Sequence, residues 1–277
     1  MVTIITDSTA DLGIDIAAEF DVRVIPLSIF IGGKSYRDGI DLGPGSLFDL
    51  VAQTGELPKT AAPSVVEFEK AFQDIGSGIY IGISSQLSAT FQNARLAEKE
   101  LPTGKMRLID SLNLSTGIGL LVLKAAELQR QGCSIDEIQQ QILASIPKVR
   151  TSFVVETMEY LYKGGRCTAI QALMGSMLKI RPVIEVREDG TMGVKAKARG
   201  TRAKALQLLL GDLESHLPEL DRHRVFVTHS GCQGDAEFLA KEIKRIASPD
   251  DIRITLAGSV ISSHCGPDTI GILYMVK

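Results

Sequence analysis

Short β-branched runs alternate with helical periodicities through the first half of the chain. The segments VTIIT (2–6), VRVIPLSIF (22–30), GIYIGI (78–83) and MRLID (106–110) predict strands. Ser64 followed by Glu67 has the spacing of a capping box and opens a helix after Pro63. Ser134 with Glu137 opens another, in which Ile135, Ile138, Ile142 and Ile146 share one face before Pro147 stops it. Such alternation predicts an α/β layered unit with a largely parallel sheet. After Arg150 the pattern changes. SFVVE and RPVIEV lead through the turn EDG (188–190) into the charged strand MGVKAKAR, which predicts a hairpin. A helix over about 202–216 turns Ala203, Leu206, Leu209, Leu210 and Leu213 to one side. The strand RVFVTH, a helix over about 235–247, the strand IRITLA and a closing strand IGILYMV follow. Two domains are expected: residues 1–150 as an α/β domain, and residues 151–277 as an α+β domain with a mixed sheet.

The length of 277 residues suits that division at roughly 150 residues per domain. A hydrophobic share of 44% rules out a disordered chain. Mean hydropathy is +0.13, high enough to ask where the apolar residues go. They do not form a membrane span: the longest uncharged stretch is broken by Ser84, Ser85, Gln86, Ser88, Thr90, Gln92 and Asn93. The opening MVTIITDST lacks a basic segment and reaches Asp7 at once, unlike a secretory signal. The four cysteines form no CxxC, so a reduced, cytoplasmic protein is expected. The net charge of −3 recommends neither nucleic acid nor anionic lipid as a partner. It conceals one local imbalance: residues 148–204 hold twelve basic residues against five acids. That segment is either a solvated hairpin or a docking face for an acidic partner.

Ligands of open α/β sheets gather beyond the carboxyl ends of strands. Here those ends carry Thr6-Asp7-Ser8-Thr9, Ser84-Ser85 running on to Ser88-Ala89-Thr90, and Asp110-Ser111, with Lys59-Thr60 in a further loop. Small hydroxyls and helix amides at such ends suit a carboxylate or phosphate, although each residue is also an ordinary helix cap. Of the four histidines, His216 and His223 sit in charged, solvated surroundings, whereas His229 and His264 can reach a cleft. There is no HxH, HExxH, GxSxG, GxxxxGK[ST] or GxGxxG, so common metal, nucleophile and nucleotide signatures are missing.

Several segments together resemble the DegV family: ITDSTADL, YRDGIDL (36–42), SSQLSATFQNA (84–94), EYLYKGGR (159–166), GSMLKIRPVI (175–184), RGTRAKA (199–205) and AGSVISSHCGP (257–267). They occur in order along the whole chain. The resemblance implies a two-domain DegV-like fold with a long-chain fatty acid in a buried apolar tunnel between the domains. It implies a carrier without its own catalytic residues or cofactor, presenting the carboxylate to a separate fatty acid kinase subunit that makes an acyl phosphate. The positions matching the family's carboxylate ligands are Thr60, Ser88 and His264; Arg199 and Arg202 match its kinase-contacting segment. Departures from the family pattern are Ala61-Ala62 before Pro63-Ser64, Ala89, Cys265 and Asp268, the last bringing a negative charge toward the expected carboxylate site. The rival expectations are an enzyme acting on a small phosphorylated or acyl substrate through His264 or Cys265, and a binding module using the basic 148–204 face.

Overall fold

In a computed structural model describing residues 2–73, 75–102, 104–173 and 180–277, three sheets form. The first is parallel throughout, in the order β2-β1-β6-β7, from β1 (Val2–Asp7), β2 (Val22–Ile25), β6 (Ser77–Gly82) and β7 (Met106–Asp110). A small antiparallel sheet holds β3 (Ser28–Ile31) between β4 (Lys34–Arg37) and β5 (Lys59–Ala61). The third is mixed, in the order β10-β9-β8-β13-β11-β12. Its strands are β8 (Val149–Val154), β9 (Ile180–Val186), β10 (Met192–Arg199), β11 (Leu220–His229), β12 (Asp251–Leu256) and β13 (Ile270–Val276). The parallel sheet in the first half and the mixed sheet in the second agree with the sequence pattern. So does the β9–β10 hairpin, closed by the Arg187 amide donating to the Thr191 carbonyl at 2.8 Å. The segment 175–179 of the GSMLKIRPVI motif, Lys179 included, lies outside the described residues.

The segment 22–30 does not form the single strand its apolar run predicts. Pro26 has no amide to continue a ladder. The chain leaves the parallel sheet there and re-enters as β3, which pairs with β5. Thr60 therefore sits on a strand, opposite Ile29, and not in a loop.

Helices layer the sheets. α1 (Gly13–Glu19) flanks β2, and α2 (Pro44–Thr54) covers the small sheet. α3 (Val65–Gln73) and α4 (Thr90–Glu98) cover one face of the parallel sheet, burying Phe68, Phe72 and Tyr80 together. α5 (Thr116–Arg130) lies between the parallel and mixed sheets, against β1 and β6 on one side and β8, β11 and β13 on the other. It is buried nearly all round, as a helix with two apolar partners must be. α6 (Ile135–Ser145) starts with the expected box: the Glu137 amide donates to Ser134 Oγ while Glu137 Oε2 accepts from the Ser134 amide at 2.7 Å. Its Ile138 and Ile142 are fully buried. α7 (Glu159–Gly164) follows β8. α8 (Arg202–Ser215) and α9 (Gln233–Ala247) cover the outer face of the mixed sheet. On α8 the buried position is Ala205; Ala203, expected inside, is exposed. α10 (Ser259–Cys265) packs against α2, α7, β3 and β5, joining the second half of the chain to the small sheet of the first.

Candidate functional site

α10 is positioned from its N-terminal end by two buried carboxylates. Asp11 Oδ1 accepts from the Gly258 amide at 2.8 Å, and Asp38 Oδ1 accepts from the Ser259 amide at 2.7 Å. These carboxyl oxygens satisfy amides that a helix start leaves without partners. The far end of the helix carries His264. Its Nε2 lies 2.9 Å from Thr60 Oγ1, a contact across 204 residues of chain. Ser88 stands in the loop before α4, its Oγ 2.8 Å from Thr90 Oγ1. Thr60, Ser88 and His264 all line one cavity of about 210 Å³, together with Arg166 at its mouth.

The remaining walls are apolar: Leu27, Ile83, Leu87, Leu114, Val260 and Ile261. Leu114, Ile261 and Cys265 also border a second chamber of about 30 Å³ that reaches Phe153 and Leu273 between the two large sheets. That space admits roughly one or two waters. A longer guest entering from the Thr60 end must displace the Ile261 and Leu114 side chains.

The electrostatics at the polar end are mild. Burial lowers the His264 imidazole to about 4, helped by the nearby Arg166 cation, so the ring is neutral at physiological pH. Its Nδ1 is buried without a hydrogen-bond partner and faces Gly164, where an added Cβ would stand 2.7 Å away. Arg166 Nη1 donates to the Gly164 carbonyl at 2.5 Å and Nε to the Leu87 carbonyl at 3.4 Å, strapping α7 to the loop that carries Ser88. Gly164 and Arg166 belong to the EYLYKGGR motif, but the sequence does not tie them to the site; the packing of α7 on α10 brings them to His264.

The other strand-end residues mostly do cap, as their alternative reading requires. Asp7 accepts from the Thr9 amide at 3.0 Å and from Tyr80 Oη at 2.7 Å; Ser64 pairs with Glu67; Asp110 accepts from the Leu112 amide at 3.1 Å. His229 reaches the second chamber, with Nε2 2.9 Å from Gln233 Oε1. His223 is exposed beside Glu127. His216 is not simply solvated: it is half-buried, 2.9 Å from Tyr274 Oη.

Arg199 is exposed at the end of β10. Arg202 is engaged. It pairs with Asp235, meets Glu156 Oε2 at 3.2 Å and donates to the Asp268 carbonyl at 2.8 Å. Arg181 pairs with Glu156 inside the segment, and Lys195 with Asp212 outside it, each at 2.5 Å; with Arg202 on Asp235, acids elsewhere in the fold neutralise two of the basic residues of 148–204. Asp268 is exposed, faces Gly231 and does not line the cavity, so its charge does not enter the site as expected. Ala89 has φ −72°, a conformation that needs no glycine. The Cys265 thiol is buried and pushed up to about 12, far from a reactive thiolate.

The family model described as "Uncharacterised protein, DegV family" matches residues 1–277. A DegV domain-containing protein of Caldanaerobacter subterraneus is 32% identical over 285 residues, covering 100% of this chain and 99% of its own. Among solved structures, a fatty-acid-binding DegV family protein from Thermus thermophilus superposes with a TM-score of 0.93 at 31% identity, covering 100% and 99% of the two chains. The fatty acid kinase (Fak) B3 protein of Streptococcus pneumoniae, solved loaded with linoleic acid, gives a TM-score of 0.88 at 25% identity over 100% of both. With the whole chain matched in both sequence and fold, this protein belongs to the DegV family.

Proposed function

We propose that this protein binds a long-chain fatty acid, its carboxylate held by Thr60, Ser88 and His264 and its tail inserted past Leu114 and Ile261 toward Phe153 and Leu273. The observation that carries the reading is the 2.9 Å approach of Thr60 Oγ1 and His264 Nε2 at the polar end of an otherwise apolar cavity. Two hydroxyls and a neutral imidazole supply hydrogen bonds to a carboxylate without a buried lysine or arginine. Arg166 at the mouth adds a screened positive charge. The clamp leaves a carboxylate oxygen open for transfer chemistry, and most affinity comes from the tail. Burying ten methylenes at about 0.8 kcal/mol each gives ~8 kcal/mol, of the order of a micromolar dissociation constant.

The chain acts as a carrier in this account, and a separate kinase phosphorylates the presented carboxylate in the cytoplasm, where ATP is available. The Fak B3 likeness supports that assignment. Arg199 is the side chain we assign to partner contact; Arg202 acts by holding α8, α9 and the Asp268 turn in place. We divide the chain near residue 150, so that Thr60 and Ser88 come from the first domain and His264 from the second. The enzyme reading gains nothing from a buried, protonated Cys265. Fluorescent fatty-acid binding to wild type, Ser88→Ala and His264→Ala tests the clamp: tenfold or greater weakening is expected in each variant. Unchanged affinity in both removes these residues from the site.

A further inference from the structure

A second cavity, of about 500 Å³, lies on the far side of α10's first turn, between α1, the edge strand β2 and the end of the edge strand β12. Its volume is in the range of small-molecule sites. Four large apolar side chains stand exposed on its rim: Ile14 at 81%, Ile40 at 59%, Leu256 at 49% and Val24 at 42%. Asp7, Asp11 and Asp38 line the same cavity from below, at 0%, 4% and 2% exposure.

The hydrogen bonds to these carboxylates come from neutral donors. Asp7 takes Tyr80 Oη, the Thr9 hydroxyl and the Thr9 and Ile83 amides; Asp11 takes Ser115 Oγ and the Gly258 amide; Asp38 takes the Ser259 amide. Among the described residues no lysine, arginine or histidine forms an ion pair with any of them. Asp38 Oδ2 is buried and accepts no hydrogen bond of ordinary geometry. Burial pushes all three carboxyls upward, Asp11 well above the usual carboxylate range, and Asp38 is the one that presents an oxygen with no well-placed donor on it. Nor do these carboxylates make a divalent-ion site: no group of three His, Cys, Asp or Glu among the described residues is placed to hold a metal.

We propose that this cavity is a second ligand site, taking a small amphiphile with an apolar body and an ammonium head, the head donating to Asp38 and the body covering Ile14, Val24, Ile40 and Leu256. The site is distinct from the fatty-acid cavity, sharing no lining residue with its polar chamber and only Ala257 with its inner one.

Isothermal titration calorimetry with octylammonium, octanol and octanoate tests it, on protein with and without added oleate. Octylammonium should bind saturably, at least tenfold tighter than octanol, with octanoate inert, whether or not oleate is present. Asp38→Asn keeps the acceptor for Ser259 and should weaken octylammonium at least tenfold. Ile40→Lys leaves the floor intact and should do the same by placing a competing cation on the rim. Equal binding of octylammonium to wild type and both variants, binding of octanoate as tight as of octylammonium, or no saturable binding overturns the proposal. Failure of oleate to bind counts only against the fatty-acid reading.

Discussion

The contact between Gly164 and His264 gives a sharp test of how the proposed carboxylate clamp is built. A Cβ at position 164 would lie 2.7 Å from His264 Nδ1, closer than two such atoms can rest. Gly164 has ordinary helical backbone geometry, so Gly164→Ala brings no dihedral strain and gains about 0.5–1 kcal/mol of helix propensity. Against this stands overpacking of about 1–3 kcal/mol. The net change in stability is therefore a loss of between about zero and 2.5 kcal/mol. The imidazole is the group that must yield, and moving it breaks its 2.9 Å contact with Thr60. Losing one hydrogen bond to a charged ligand costs about 1.5–3 kcal/mol, or roughly 10–150-fold in dissociation constant. The neighbour supplies the control. Gly165 has φ +69° and nothing within 4 Å of an added Cβ, so Gly165→Ala strains the backbone without touching the site. It should lose about 1 kcal/mol of stability and retain affinity. Fluorescent fatty-acid titration and urea unfolding of both variants are the assays. Gly164→Ala binding as wild type, or Gly165→Ala losing the greater affinity, would refute this account of how His264 is held.

Ile261 borders both chambers, so Ile261→Trp should close the passage and reduce the preference for oleate over octanoate at least a hundredfold; an unchanged ratio of their dissociation constants argues against a tail running past it. Burial raises the Asp38 carboxyl from 3.8 to about 6, so the folded chain binds a proton that the unfolded chain releases between those values, and its contribution to stability falls as pH rises through that window. Asp38→Asn should then stabilise the protein at pH 8 by up to about 3 kcal/mol, with little gain at pH 4, as read from urea midpoints; destabilisation at pH 8 contradicts the sign. With the Cys265 thiol pushed up to about 12, iodoacetamide at pH 8 should alkylate half-buried Cys133 well before Cys265, a rank order that peptide mass mapping checks.

Elements with strong local signals were legible in the sequence. The Ser134–Glu137 box and its isoleucine face became α6, and the EDG turn became the β9–β10 hairpin. Where tertiary pairing decided, local pattern misled. The apolar run at 22–30 reads continuously, yet Pro26 divides it between two sheets and thereby puts Thr60 on a strand opposite Ile29. The DegV resemblance located Thr60, Ser88 and His264, and the fold brings them to one cavity. Gly164 and Arg166 stand in the EYLYKGGR motif, but their roles were not legible there, because they exist only once α7 packs on α10. Net charge was equally blind to pairing. Arg181, Lys195 and Arg202 look like a basic face in sequence, but meet Glu156, Asp212 and Asp235 in space. Asp268 lies close to His264 in sequence, yet a turn at φ +56° leaves it on the surface facing Gly231.

The central claim is that the Thr60–His264 cavity holds a long-chain fatty acid. Its most direct test is direct titration of the delipidated protein with labelled oleate, alongside mass spectrometry of lipid released when the purified protein is denatured. The account predicts close to one equivalent of a long-chain fatty acid released, and saturable oleate binding that weakens in His264→Ala. A protein that releases no fatty acid and shows no saturable oleate binding contradicts it.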